Sequence, residues 1–235
     1  MQGFIKYQLK SYIRSFKIIP PAATFFIWIV ILYHYSGVEI LSSYAVTSIA
    51  LYLVTTWISM NLFSMEEEAE KNILFVQVGK VRYSLGKWII GMLIAMVFML
   101  FAILYPLLLD SFKEAVQPIH LGLSIFIHLL LAAFGILVGS FSSISSFIPK
   151  RYTWLSAVLV IAVTLSYDGL VEKLSLLKWL LIVLPPVVNV INFFVMDDLK
   201  HFGKEFWIMS SFAILYSTIA FYVLMKLFIK KESYE

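Results

Sequence analysis

Seven apolar runs, at residues 18–35, 41–63, 88–109, 119–141, 154–167, 174–195 and 206–229, take up most of this chain and decide what it can become. A helix needs about 20 mostly apolar residues to cross roughly 30 Å of hydrocarbon. All but the run at 154–167 come close to that length or exceed it. In lipid, backbone polar groups must be satisfied internally, which restricts spans to helices or closed barrels, and continuous apolar runs select helices over the alternating pattern of a barrel strand. Composition agrees: the chain is 61% hydrophobic and 14% charged, against roughly 45–50% and about 25% in soluble domains. The expectation is an all-α integral membrane protein, a single transmembrane domain over 1–235. It has six transmembrane helices, an N-terminal interfacial helix over 1–17 and a re-entrant helical hairpin over 174–195, before the last span.

The first 17 residues precede the first run and have a helical period. Ile5, Leu9, Tyr12, Ile13 and Phe16 share one face, while Lys6, Lys10, Arg14 and Lys17 share the other. Such a helix lies in the headgroup boundary with its cations on anionic lipid; the plainer reading is a positive flank that orients the first span. No small-x-small cleavage pattern marks 18–35 as a secretory signal, so it is read as a span.

Orientation follows from where the 18 Lys and Arg residues fall. With a cytoplasmic N-terminus and a re-entrant 174–195, thirteen lie inside and both termini are cytoplasmic; a full crossing at 174–195 gives twelve and moves the C-terminus out. The chemistry of that run favours re-entry. Pro185-Pro186 removes two backbone donors near its middle, with Asn189 and Asn192 close behind, and broken backbone at membrane depth is tolerated where it is buried in protein or lines a cavity. The alternative is a kinked span.

Motifs for catalysis are sparse. Without cysteine there is no disulfide framework, thiolate zinc site or Cys nucleophile. The net charge of +4 is spread over the ends of apolar runs and not gathered in one stripe, so membrane phosphates are the expected anions, with no nucleic acid. Every Asp and Glu sits in a connection or at a run boundary, unlike ion-coupled transporters with carboxylates inside the membrane. His128 lies within a run two turns from His120 and is expected to be a neutral imidazole bonded between helices. Gly79 to Gly86-Lys87 has the wrong spacing for a phosphate loop, and Trp88 stands where Ser or Thr is required. Gly135-x-x-x-Gly139 predicts close helix packing.

The one long polar insertion, 64–87, carries most of the functional information. Glu66, Glu67, Glu68 and Glu70 open a helix where its dipole favours negative charge. Ile73-Leu74-Phe75-Val76 is too short to span, so a protein groove or the membrane interface must cover it. Gly79-Lys80 breaks the helix, and Arg82 to Gly86-Lys87 leads into the next run. An amphipathic turn resting on the membrane and a docking element both fit this pattern.

In the order and spacing of Glu66–Glu70, Ile73–Val78, Arg82 and Gly86-Lys87, the chain resembles the permease subunits of type 2 ABC exporters, including those exporting phenol-soluble modulins or giving lantibiotic immunity. The interfacial helix, six spans and proline-marked hairpin extend the resemblance over nearly the whole chain. One departure is Gly79-Lys80 in place of the usual proline after the coupling helix. The resemblance implies a subunit of the cell membrane that binds no cofactor itself and moves an amphipathic or hydrophobic cargo, a peptide first of all, out of the cytoplasm. ATP and Mg would sit on a separate cytoplasmic ABC ATPase, docked on Glu66, Glu67, Glu68, Ile73, Leu74, Phe75, Val78 and Arg82. It also implies dimerisation with a second copy or a paralogue around a pathway faced by Thr55, Thr56, Ser59, Asn61, Ser156 and Thr164, although each of these hydroxyls is as easily spent on helix hydrogen bonds. Export of a lipid-linked glycan is the near alternative. More distant ones are an intramembrane lipid-modifying enzyme or protease built on Asp110, Glu114 and His120, and a sensor subunit without transport.

Overall fold

The computed structural model describes all residues except 146–148, 175, 197–198, 200–201 and 235. Helices follow the apolar runs closely: α1 (Gln2–Arg14), α2 (Ile19–Leu32), α3 (Ile40–Phe63), α4 (Glu68–Val78), α5 (Lys80–Leu108), α6 (Pro118–Ile144), α7 (Thr153–Leu165), α8 (Tyr167–Lys173), α9 (Leu177–Leu181), α10 (Val187–Val195) and α11 (Lys204–Tyr234). Four of them, α3, α5, α6 and α11, are long and apolar enough to cross a membrane unaided. Two bent pairs, α1 with α2 at 77° and α7 with α8 at 66°, bring the number of candidate spans to as many as six.

Close packing centres on the seam between α3 and α6, and glycine is the reason. A Cβ placed on Gly135 would fall 2.1 Å from Thr55 Oγ1 and 2.5 Å from the Tyr52 carbonyl oxygen. At Gly139 it would fall 2.3 Å from the Thr56 carbonyl oxygen. Two bare turns on one helix therefore let the backbone of the other approach directly, as small-x-x-x-small pairs do. Polar side chains stitch the same elements: Ser59 donates to the Ile136 carbonyl at 3.0 Å, and Tyr44 reaches across to the Ile103 carbonyl of α5 at 3.2 Å. His128 is buried on α6, its Nδ1 2.7 Å from the Ser124 carbonyl and its Nε2 3.0 Å from Thr47 Oγ1 on α3. A carbonyl can only accept, so Nδ1 carries the proton and Nε2 takes the threonine hydroxyl.

The two ends of the bundle differ. At one end, Gly37 and Val38 pair with Ser111, and Lys113 donates to Val38, tying the α2–α3 and α5–α6 connections together. Asp110 and Glu114 are exposed there, and His120 closes the start of α6 by accepting the Gln117 N–H on Nδ1 at 3.2 Å. Among the described residues no three His, Asp or Glu side chains come together as a metal site. At the other end lie the tails of α3 and α6, the whole of α4, the start of α5 and the end of α11, joined by Phe4, Leu74, Tyr83, Ile144 and Phe228.

Helix α1 does more than the sequence pattern anticipates. Phe4, Gln8 and Tyr12 are buried, and the Phe4 ring fills the space that a side chain on Gly86 of α5 would need. Of the apolar face read from the sequence, Ile13 and Phe16 are exposed, whereas Tyr12 is buried and Ile5 and Leu9 pack partly against the core. The helix thus has a third face, a protein-facing one. Around Pro185-Pro186 the chain leaves helix between α9 and α10, and the Tyr216 hydroxyl of α11 donates to the freed Val183 carbonyl at 2.6 Å. Helix α10 then packs on α3, α6, α7 and α11 through Val187, Val190, Ile191 and Phe194.

Candidate functional site

The insertion between α3 and α5 is tied to the bundle on several sides. Residues 64–67 turn the chain, α4 runs from Glu68, and Gly79 separates α4 from α5 with φ +84° and ψ 147°. That backbone conformation is essentially reserved for glycine, which explains why the break falls at Gly79. Leu74, Phe75 and Val78 face the bundle against Tyr83 and Phe228, and the Tyr83 and Phe228 rings stack with centroids 5.9 Å apart. Lys71 pairs with Glu232 at 2.5 Å, and Lys80 donates to the Glu232 carbonyl at 2.5 Å, so α4 is tied to the end of α11. On the opposite side, Tyr7 of α1 donates to Glu70 at 3.0 Å.

The expected docking residues divide into two sets. Glu67, Glu68, Ile73 and Arg82 are exposed, and between them Val76, at 89% exposure, is a bare valine on a helix surrounded by charge. Leu74, Phe75 and Val78 are turned inward. Glu66 is also turned inward, against the expectation that it joins its neighbours on the surface. Its side chain is 1% exposed, and its Oε2 accepts both the Lys87 ammonium and the Tyr83 hydroxyl, the latter at 2.8 Å. Lys87, itself fully buried, also donates to the Leu62 carbonyl at the end of α3. The cause is solvation: a charge this close to apolar helices is costly unless it is paired and hydrogen-bonded. Sequence reasoning missed this pair because four glutamates and four cations share the insertion and nothing in their spacing selects one couple.

Beside this cluster lies a cavity of about 870 Å³. Leu53, Thr56, Trp57, Met60 and Asn61 of α3 form one wall, Trp154, Ala157, Val158 and Ile161 of α7 another. Its floor is charged, with Glu66, Glu68, Lys71, Lys231 and Glu232. Of the expected pathway residues, Thr56 and Asn61 reach this cavity. Thr55 does not; it is buried in the α3–α6 seam with its hydroxyl on the Leu51 carbonyl. Ser59 spends its hydroxyl across the same seam. Ser156 bonds back to the Thr153 carbonyl, and Thr164 meets the Tyr52 hydroxyl at 3.2 Å. A second cavity, of about 430 Å³ and almost wholly apolar, lies between α6, the Pro185 break and α11.

Taken together, the fold is that of an all-helical membrane protein with several candidate spans and a short, anchored helix outside them. Comparison with protein-family models, with curated proteins and with solved structures finds no match.

Proposed function

We propose that this chain is the membrane-spanning subunit of an ATP-driven exporter of the type 2 ABC class. In this reading it crosses the cell membrane six times with both termini in the cytoplasm. Helix α1 lies in the membrane plane, residues 174–195 re-enter, and a second copy or a paralogue completes the pathway. The cargo is an amphipathic or hydrophobic molecule, a peptide first of all, and ATP hydrolysis belongs to a partner ATPase.

The observation that carries the reading is α4. A short helix outside the candidate spans presents Ile73 and Val76 outward, at 59% and 89% exposure, while its other face is locked to α5 and α11. An apolar knob ringed by charge suits a protein groove. Its attachment suits a lever: force on α4 reaches α11 through Lys71–Glu232 and Phe75–Phe228. It reaches α5 and the tail of α3 through the connection at Glu66.

Substituting Val76→Asp or Ile73→Asp tests this. Both positions are exposed, so folding stability changes by no more than about 0.5 kcal/mol, while copurification of the ATPase from native membranes is lost. Undiminished ATPase association in both variants overturns the docking role, as does labelling of a cysteine at Val76 by an impermeant reagent on intact cells. Export of a lipid or lipid-linked glycan by the same machinery is the second reading, supported by the mixture of apolar and charged residues that line the α3–α7 cavity.

A further inference from the structure

Helix α11 is the least buried of the four long apolar helices, and one side of it is grooved. Phe212, Leu215, Ile219, Val223 and Leu227, spaced three or four apart, form a single stripe along the second cavity. Each is a third or more exposed, so the groove opens sideways off the helix. From Phe212 to Leu227 it runs roughly 22 Å at the helical rise. A volume of about 430 Å³ over that length leaves a mean cross-section of roughly 20 Å². A helix about 10–12 Å across needs roughly 80–110 Å², so a helix of a second copy does not enter, whereas one hydrocarbon chain does. The lining selects the same occupant. Its one polar side chain, Tyr216, already donates to the Val183 carbonyl, and a polar ligand would leave its own groups unpaired there. Left empty, the groove forfeits dispersion contacts along every wall, and a flexible chain restores them.

The end of the stripe says what molecule the chain belongs to. One turn beyond Val223 and Leu227 stand Lys226 and Lys230, both exposed, and the three-residue spacing puts them on the same side of α11. Tyr222 lies beside Lys226, its ring centroid 5.5 Å from the ammonium. Tyrosine next to lysine at the end of an apolar helix marks the headgroup level of a membrane. We propose that one acyl chain of an anionic bilayer phospholipid lies in this groove, with its phosphate at Lys226 and Lys230. The chain touches α11 on one side and the Pro185 break on the other, so it fills the gap between them. This site goes beyond the exporter reading and needs no ATPase, so its test uses the chain alone.

The experiment is native mass spectrometry of the full chain in maltoside micelles, washed free of native lipid and offered phosphatidylglycerol or phosphatidylcholine with identical acyl chains. One retained phosphatidylglycerol per chain is expected, preferred over phosphatidylcholine by about fivefold for each lysine. Lys226→Gln combined with Lys230→Gln abolishes that preference. Ile219→Trp and, separately, Leu215→Trp put an indole into the groove about two turns or more from the lysines and abolish retention. Both positions are half exposed, so the fold accommodates the change. Val97→Trp is the control: it is exposed on α5 away from the groove and leaves retention unchanged. Equal binding of the two headgroups to the unaltered chain overturns the proposal, because the lysines then hold no phosphate. So does equal retention in Ile219→Trp, Leu215→Trp and Val97→Trp, which would mean lipid coating the whole belt. A lipid-free dimer that Ile219→Trp dissociates overturns it too, by placing a second copy in the groove.

Discussion

Breaking the Glu66–Lys87 pair from one side should hurt far more than removing it whole. In Lys87→Met the Glu66 carboxylate stays buried, keeping Tyr83 but losing its cation, and the Leu62 carbonyl loses its donor. In Glu66→Leu the ammonium stays, holding on to Leu62 alone, and Tyr83 loses its acceptor. Stranding one charge of a buried pair costs about 3–5 kcal/mol. In the double variant both charges leave together. What remains unmet is one carbonyl and one phenol, each worth about 1–3 kcal/mol, so the double loses about 2–6 kcal/mol where the singles would sum to about 6–10. The coupling is then about 4 kcal/mol, well above the roughly 0.5 kcal/mol scatter of independent sites. Reversible unfolding in mixed micelles, followed by tryptophan fluorescence and far-ultraviolet circular dichroism, measures all four corners of the cycle. If the two single losses simply add, the pair does not hold the insertion to the bundle, and the account of force passing from α4 to α5 fails with it.

Two further predictions concern glycines. Gly139→Ala drives a methyl to within 2.3 Å of the Thr56 carbonyl oxygen, which cannot move without its helix, so α3 and α6 part and the variant loses about 2–3 kcal/mol in the same unfolding assay. Gly122→Ala on the same helix meets nothing within 4 Å and should instead gain up to about 1 kcal/mol; equal effects at both positions would show that the seam is not closely packed. Gly79→Ala also meets no neighbour, so its cost of about 1–3 kcal/mol is purely backbone strain. It should appear as faster hydrogen exchange confined to α4, and uniform protection across the variant would contradict the glycine-only break.

The long apolar helices were legible because the bilayer imposes a long, one-dimensional constraint. A run of apolar residues such as 119–141 needs no knowledge of its neighbours to be read as a helix, and α6 covers it with a few residues to spare. Breaks were legible where a single residue forces them, as at Gly79 and at Pro185-Pro186. Which face of a helix meets protein and which meets lipid was not, since both prefer the same side chains. Thus Phe4 of α1 looks no different from Ile5, yet Phe4 is buried because Gly86, more than 80 residues away, leaves a hole for its ring. The pairing of Glu66 with Lys87 was hidden for the same reason: it depends on the turn at 64–67 and the start of α5 arriving side by side, and charge identity alone is degenerate.

That degeneracy bears on how the insertion works. A loop whose acidic residues all faced outward would be a sticky patch on a tether, free to bind a partner without transmitting motion. Turning one of them inward changes the mechanics. With Glu66 anchored on Lys87 and Tyr83 just before α4, and Lys80 anchored on the Glu232 carbonyl just after it, the helix is held at both ends. The outward residues, Ile73 and Val76, then sit on a body that cannot yield independently of α5 and α11.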